Sequence, residues 1–168
     1  MAKNKKLVTK IVGEDKRMLR INKIPIFILR ILIGIIFIIP GWQDITNPKF
    51  SADSFLTKVA YGPFQSFYAG MAGNPAVSLL VAWGLFLIGL CLLLGLLVKT
   101  ASSLGIVMML LFYLARFPPK HNLIEEHIVY AAVLFALIVF EAGKFIGIDK
   151  YLAKTKIVEK NKWFRLLL

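Results

Sequence analysis

The chain is poor in the groups that carry most soluble-enzyme chemistry. Its 168 residues hold one cysteine, Cys91. A lone thiol excludes an internal disulfide and a cysteine-based metal or redox site made by this chain alone. There are two histidines, and nine acidic side chains stand against 21 basic ones. The sequence has no glycine fingerprint for a nucleotide, no serine-nucleophile motif and no thiol pair. It has neither an internal repeat nor a low-complexity tract.

Hydrocarbon is what the chain has in abundance, at 58% hydrophobic residues. Four apolar stretches cover residues 24–40, 76–98, 101–117 and 123–146. A spanning helix takes about 17–25 apolar residues, so each stretch qualifies. The expectation is an all-α polytopic membrane protein, a four-helix bundle. Residues 1–23 form a basic N-terminal segment, 24–149 the membrane domain and 150–168 a basic amphipathic tail. The first stretch lacks a small-x-small cleavage site and carries Arg30, so it is expected to remain as a helix.

Charge sets the expected orientation. Eight Lys/Arg precede the first stretch, seven follow Phe140, and Lys99 sits in the link between the second and third. The opposite side holds Lys49, Lys58, Arg116 and Lys120. The positive-inside rule puts both termini in the cytoplasm of a multi-pass plasma-membrane protein. A net charge of +12 would suggest nucleic acid for a soluble chain. Here the basic residues flank membrane segments, where anionic lipid headgroups account for them, and no nucleic acid is expected.

Local signals mark the element ends. Pro25 suits a first helical turn. Pro40-Gly41 is read as ending the first helix, with Trp42 in the interfacial belt. Residues 43–75 form a long external loop. Ser51 or Asp53 could cap an interfacial helix through Tyr61, with Phe55, Leu56 and Val59 on one face. Asn74-Pro75 starts the second helix, and Val98-Lys99-Thr100 is read as its tight link to the third. Ala101 and Gly105, four apart, permit close helix approach. Pro118-Pro119 stops the third helix, and Asn122 with Glu125 reads as a capping box for the fourth.

Charges within spans are costly and are functional suspects. Arg30 lies about 9 Å and Glu141 about 7–8 Å from the cytoplasmic ends of their helices, at 1.5 Å per residue. Matched depths make an interhelical Arg30–Glu141 ion pair plausible. Snorkelling of Arg30, pairing of Glu141 with Lys144, or a ligand or proton role are the alternatives. At the outer interface Arg116, Lys120, His121, Asn122, Glu125, Glu126, His127 and Tyr130 cluster. The histidines match no metal-ligand spacing, so no metal is expected. Arg116, His121, His127 and Tyr130 could contact a quinone or a small anion; a solvated helix start is the plain alternative.

Three pieces in order resemble the DoxX/DoxD-like membrane proteins. The first is Leu29-Arg30-Ile31-Leu32-Ile33-Gly34 through Gly41-Trp42 and Asn47-Pro48-Lys49-Phe50. The second runs from Leu87-Ile88-Gly89 through Leu94-Gly95 to Lys99-Thr100-Ala101. The third runs from His121-Asn122-Leu123 to Gly143-Lys144-Phe145-Ile146-Gly147-Ile148-Asp149. The resemblance covers about residues 25–150. It implies a four-helix membrane bundle in a family that includes a small subunit of thiosulfate:quinone oxidoreductase, with other members linked to sulfur metabolism or oxidative-stress complexes. Such members often carry Glu four residues before the glycine matching Gly89; this chain has Leu85 there.

Three functions are weighed. The favoured one is a membrane subunit of a quinone-linked oxidoreductase complex, possible in sulfur-compound oxidation, with most catalysis supplied by a partner. Quinone is then the possible cofactor, and none is expected to be covalently bound. The alternative is a non-catalytic accessory or assembly subunit. A transporter fits least, since no broken-helix pair is present.

Overall fold

The computed structural model describes residues 23–119, 124–144, 146–152 and 155. Among these residues six helices follow in order: α1 (Lys23–Thr46), α2 (Gln65–Ala69), α3 (Pro75–Leu94), α4 (Val98–Ala115), α5 (Glu126–Val139) and α6 (Asp149–Leu152). A π-helical turn at Phe55–Val59 and 3-10 turns at Gly62–Phe64 and Ala142–Lys144 complete the set. The described residues contain no strand. The basic N-terminal segment, nearly all of the C-terminal tail, and Lys120, His121 and Asn122 lie outside the described residues.

α1, α3 and α4 are each long and apolar enough to cross a membrane. Their outward faces, with Ile28, Leu32 and Ile39 on α1 and Leu79, Leu80 and Leu87 on α3, are exposed hydrocarbon. The inward faces, together with α5, bury Ile33, Phe37, Leu92, Val98, Leu134 and Leu137 in one core. Apolar residues inside and out, with no polar face on the long helices, are what a lipid-embedded element requires.

Helix ends differ from those read in the sequence, each for a physical reason. α1 continues through Pro40-Gly41 to Thr46. A proline removes one backbone bond, which a helix buried among neighbours tolerates, and Gly41 is needed where α1 lies against α3. There a Cβ would collide with the Phe86 backbone. α3 ends at Leu94, not at Val98, because Gly95 adopts φ +65° and caps it. The link is therefore Gly95–Leu97, and α4 starts at Val98. Asn74 caps α3 by accepting the Ala76 N–H at 3.0 Å.

The fourth stretch changes most. α5 has 14 residues and is about 21 Å long, short of a hydrocarbon core of about 30 Å. It stops at Val139, and Glu141 takes the left-handed conformation at φ +48°. The capping box is not seen: Glu125 stands at the N-cap but makes no side-chain cap bond, and Asn122 is not described.

α1 packs chiefly on α3, and α4 chiefly on α5. Glycine makes the first contact close. A Cβ at Gly89 would stand 2.5 Å from the Ile38 nitrogen and 2.8 Å from the Gly34 carbonyl. Gly105 differs, since a Cβ there would meet mainly side chains, with Leu134 nearest at 2.8 Å. The backbone-to-backbone seam is thus α1–α3, set by Gly34, Gly41 and Gly89.

Candidate functional site

Two polar centres sit at opposite ends of the bundle. One, called inner because it lies on the side expected to be cytoplasmic, is built on Arg30, which α1 carries into the core with 1% of its surface exposed. Its Nη1 donates to the Ala142 carbonyl at 3.0 Å, and its guanidinium carbon lies 5.2 Å from the Phe27 ring centroid. Its opposite charge is Asp149, fully buried at the start of α6. The Asp149 carboxylate accepts the Leu97 N–H at 2.6 Å and the Val98 N–H at 2.9 Å. These are unsatisfied donors at the N-terminus of α4, where helix polarity favours an anion. Burial pushes the Asp149 carboxyl above the ordinary carboxylate range, against the pull of the Val98 and Leu97 bonds and of Arg30.

The backbone around this pair is shaped to admit it. The Asp149 N–H donates to the Gly95 carbonyl at 2.9 Å, and the Ile148 N–H to Leu94 at 3.3 Å. A Cβ at Gly95 would stand 2.8 Å from Arg30 Nη1, and one at Gly147 would stand 3.1 Å from it. The expected Arg30–Glu141 pair is corrected by this arrangement. Glu141 is exposed and bonded to Lys144, while Arg30 donates to Ala142, with Asp149 as the buried opposite charge near it. The depth match assumed a helix through residue 146. Because α5 ends at Val139, Glu141 falls past its end. Asp149 was the residue missed, and its only sequence signal was the Gly147-Ile148-Asp149 ending.

The outer centre is made by the long loop, which is fastened over α3 and α4. Tyr68 Oη donates to the Leu111 carbonyl at 2.7 Å, and the Tyr61 N–H donates to Ala115 at 2.9 Å. Ser78 Oγ accepts the Ala52 N–H at 3.0 Å, and Asp53 Oδ1 accepts the Gly73 N–H at 2.8 Å. Ala52, Leu56, Ala60 and Tyr68 form a second small core with Ala115. Gly62, at φ +78°, has no room for a Cβ against the Phe117 carbonyl.

Beneath this roof lies a cavity of about 640 Å³, lined largely by apolar side chains including Phe55, Leu56, Val81, Leu85 and Phe112. Its polar side chains are few: Asp44, Ser51, Ser54, Tyr68 and His127. His127 stacks edge-on to Phe112 at 5.8 Å. Its Nδ1 is buried and faces Glu125 Oε2 at 3.7 Å, within ion-pair range but too long for a hydrogen bond, and neither atom has a hydrogen-bond partner among the described residues. An imidazole among the few polar groups of a largely apolar void can take a bond from, or give one to, a ligand's polar end.

Of the four residues expected to contact a quinone or an anion, the structure brings His127 to this cavity. Arg116 follows α4 within electrostatic reach of His127 but does not line the void. Tyr130 packs on the bundle core. His121 lies outside the described residues. Asp44 was missed because the first helix was read as ending at Pro40. Among the described residues no three or more His, Cys, Asp or Glu side chains converge as a metal site would require.

The sequence model of the DoxX family matches residues 26–116, more than half of the chain. The chain belongs to the DoxX family. The DoxX match includes Arg30, Asp44, the glycine seam and Gly95, while His127 and Asp149 lie beyond it. Leu85, the departure noted in the DoxX resemblance, is a wall of the outer cavity. No curated protein and no solved structure gives a match to this DoxX chain.

Proposed function

We propose that this DoxX protein is the membrane subunit of a quinone-linked oxidoreductase complex, in sulfur-compound oxidation or a related reaction, with most catalysis supplied by a partner chain. The observation that carries the reading is the outer cavity: about 640 Å³, mostly apolar, with His127 among its few polar lining side chains. That volume is in the range of small-molecule sites. His127 and Ser51 or Ser54 would hold the quinone oxygens, and the apolar wall would hold the ring. The quinone supplies two-electron redox capacity; this chain's residues bind and orient it.

In this reading α5 and the Ala142–Lys144 turn complete a fourth crossing, and both termini are cytoplasmic in the plasma membrane. An accessory role is favoured by a different observation. Phe64 and Phe67 of the loop are exposed, at 40% and 60%, and offer an aromatic surface to a partner. Gentle-detergent purification of the tagged protein, with mass spectrometry of co-purifying chains and extracted quinones, separates the two. Recovery with an oxidoreductase subunit and stoichiometric quinone supports the redox reading. Recovery in a complex without quinone supports the accessory one.

A further inference from the structure

The outer cavity has two edges of opposite character. On one side Asp44, Phe50 and Ser51 are shared with a second, more polar recess of about 400 Å³. Asn47, Asp53 and Asn74 also line that recess, so its character is aqueous and its charge negative. Among the described residues no lysine or arginine lines either void. On the other side the cavity wall includes Leu80 and Leu111, which are 72% and 44% exposed on α3 and α4. Leu80 is five residues from the outer start of α3, about 7–8 Å along the axis, and Leu111 is four residues from the outer end of α4, about 6 Å. The two leucines therefore stand at one depth on neighbouring helices, level with the upper acyl chains of a bilayer.

We propose that the gap between Leu80 and Leu111 is a lateral portal to the outer leaflet, through which a single-tailed, uncharged-headed lipophile enters the cavity. The proposal rests on the quinone reading and adds its entry route and orientation. The head stops against the Asp44–Ser51 wall, beside the polar recess. The tail leaves between the two leucines, because a void of this size holds a ring and a short stretch of chain but not a long prenyl tail. Asp44 and Asp53, with no lysine or arginine among the described residues that line the two voids, disfavour a phosphate head, so ordinary phospholipids are poor occupants. Tyr68, bonded to the Leu111 carbonyl, fixes one jamb of the portal.

The test uses the purified full chain in detergent and calorimetric titration with two probes: a benzoquinone bearing a two-unit prenyl tail, and the same ring without the tail. The variants are Leu80→Trp and Leu111→Trp, both at lipid-exposed positions where the core is untouched. Leu104→Trp, exposed on α4 away from the cavity, is the control. Each portal variant is expected to lose about tenfold more affinity for the tailed probe than for the tailless ring, the loss of contact with about two methylenes. Equal weakening for both probes, or none for either, overturns the portal while leaving the quinone site intact. A wild-type chain that binds neither probe overturns the quinone reading, and the portal with it.

Discussion

Arg30 and Asp149 show how a charge is kept inside a membrane bundle. The guanidinium reaches a carbonyl past the end of α5, and the carboxylate answers two backbone donors at the start of α4. Three segments distant in sequence therefore meet at one point, and removing either side chain leaves buried groups unpaired. Asp149→Ala is expected to cost roughly 1–3 kcal/mol for the stranded N–H groups, with more from the uncompensated Arg30. Glu141→Ala, which removes an exposed pair with Lys144, is expected to change stability by less than about 0.5 kcal/mol. Reversible unfolding in mixed micelles measures both. The reverse order would restore the Arg30–Glu141 pair that depth alone suggested. Arg30 itself was legible as a suspect from its position in an apolar run. Its partner was not, because that contact depends on where α5 stops.

At the scale of elements, the strongest sequence signals were local. Asn74-Pro75 starts α3 because an Asx side chain and a proline both act within one turn. The α3–α4 link was displaced by three residues because its far side is fixed by Asp149, a non-local cap that spacing along the chain does not reveal. Pro40 misled for a related reason: in water it would end a helix, whereas against α3 the helix carries on. The glycine seam was missed in favour of Ala101 and Gly105, since i, i+4 spacing cannot say which partner backbone comes near. Gly89→Leu is therefore expected to wedge α1 from α3 and cost about 1–3 kcal/mol or prevent folding. Gly105→Ala, where a side chain must move, should cost less. Unfolding midpoints of the two variants check the ranking, and an equal or reversed effect would remove the seam from the account.

For the whole molecule, the membrane class and family were legible because hydropathy and charge sorting are bulk properties. The outer cavity was not, since it arises when a long loop folds back over α3 and α4. The proposed orientation predicts that, in a Cys91→Ser background, Ser66→Cys is labelled by an impermeant maleimide in intact cells. Lys150→Cys should be labelled only after permeabilisation. The opposite pattern would invert the molecule. Photolabelling shows whether the loop-covered cavity holds a quinone. An azido-quinone is added to membranes containing the protein, and the modified peptides are mapped by mass spectrometry. Label is expected in residues 76–81, 111–112 and at His127, competed by unlabelled quinone. Label confined to residues 94–98 and 146–149, or spread without competition over the lipid-facing leucines, would contradict it.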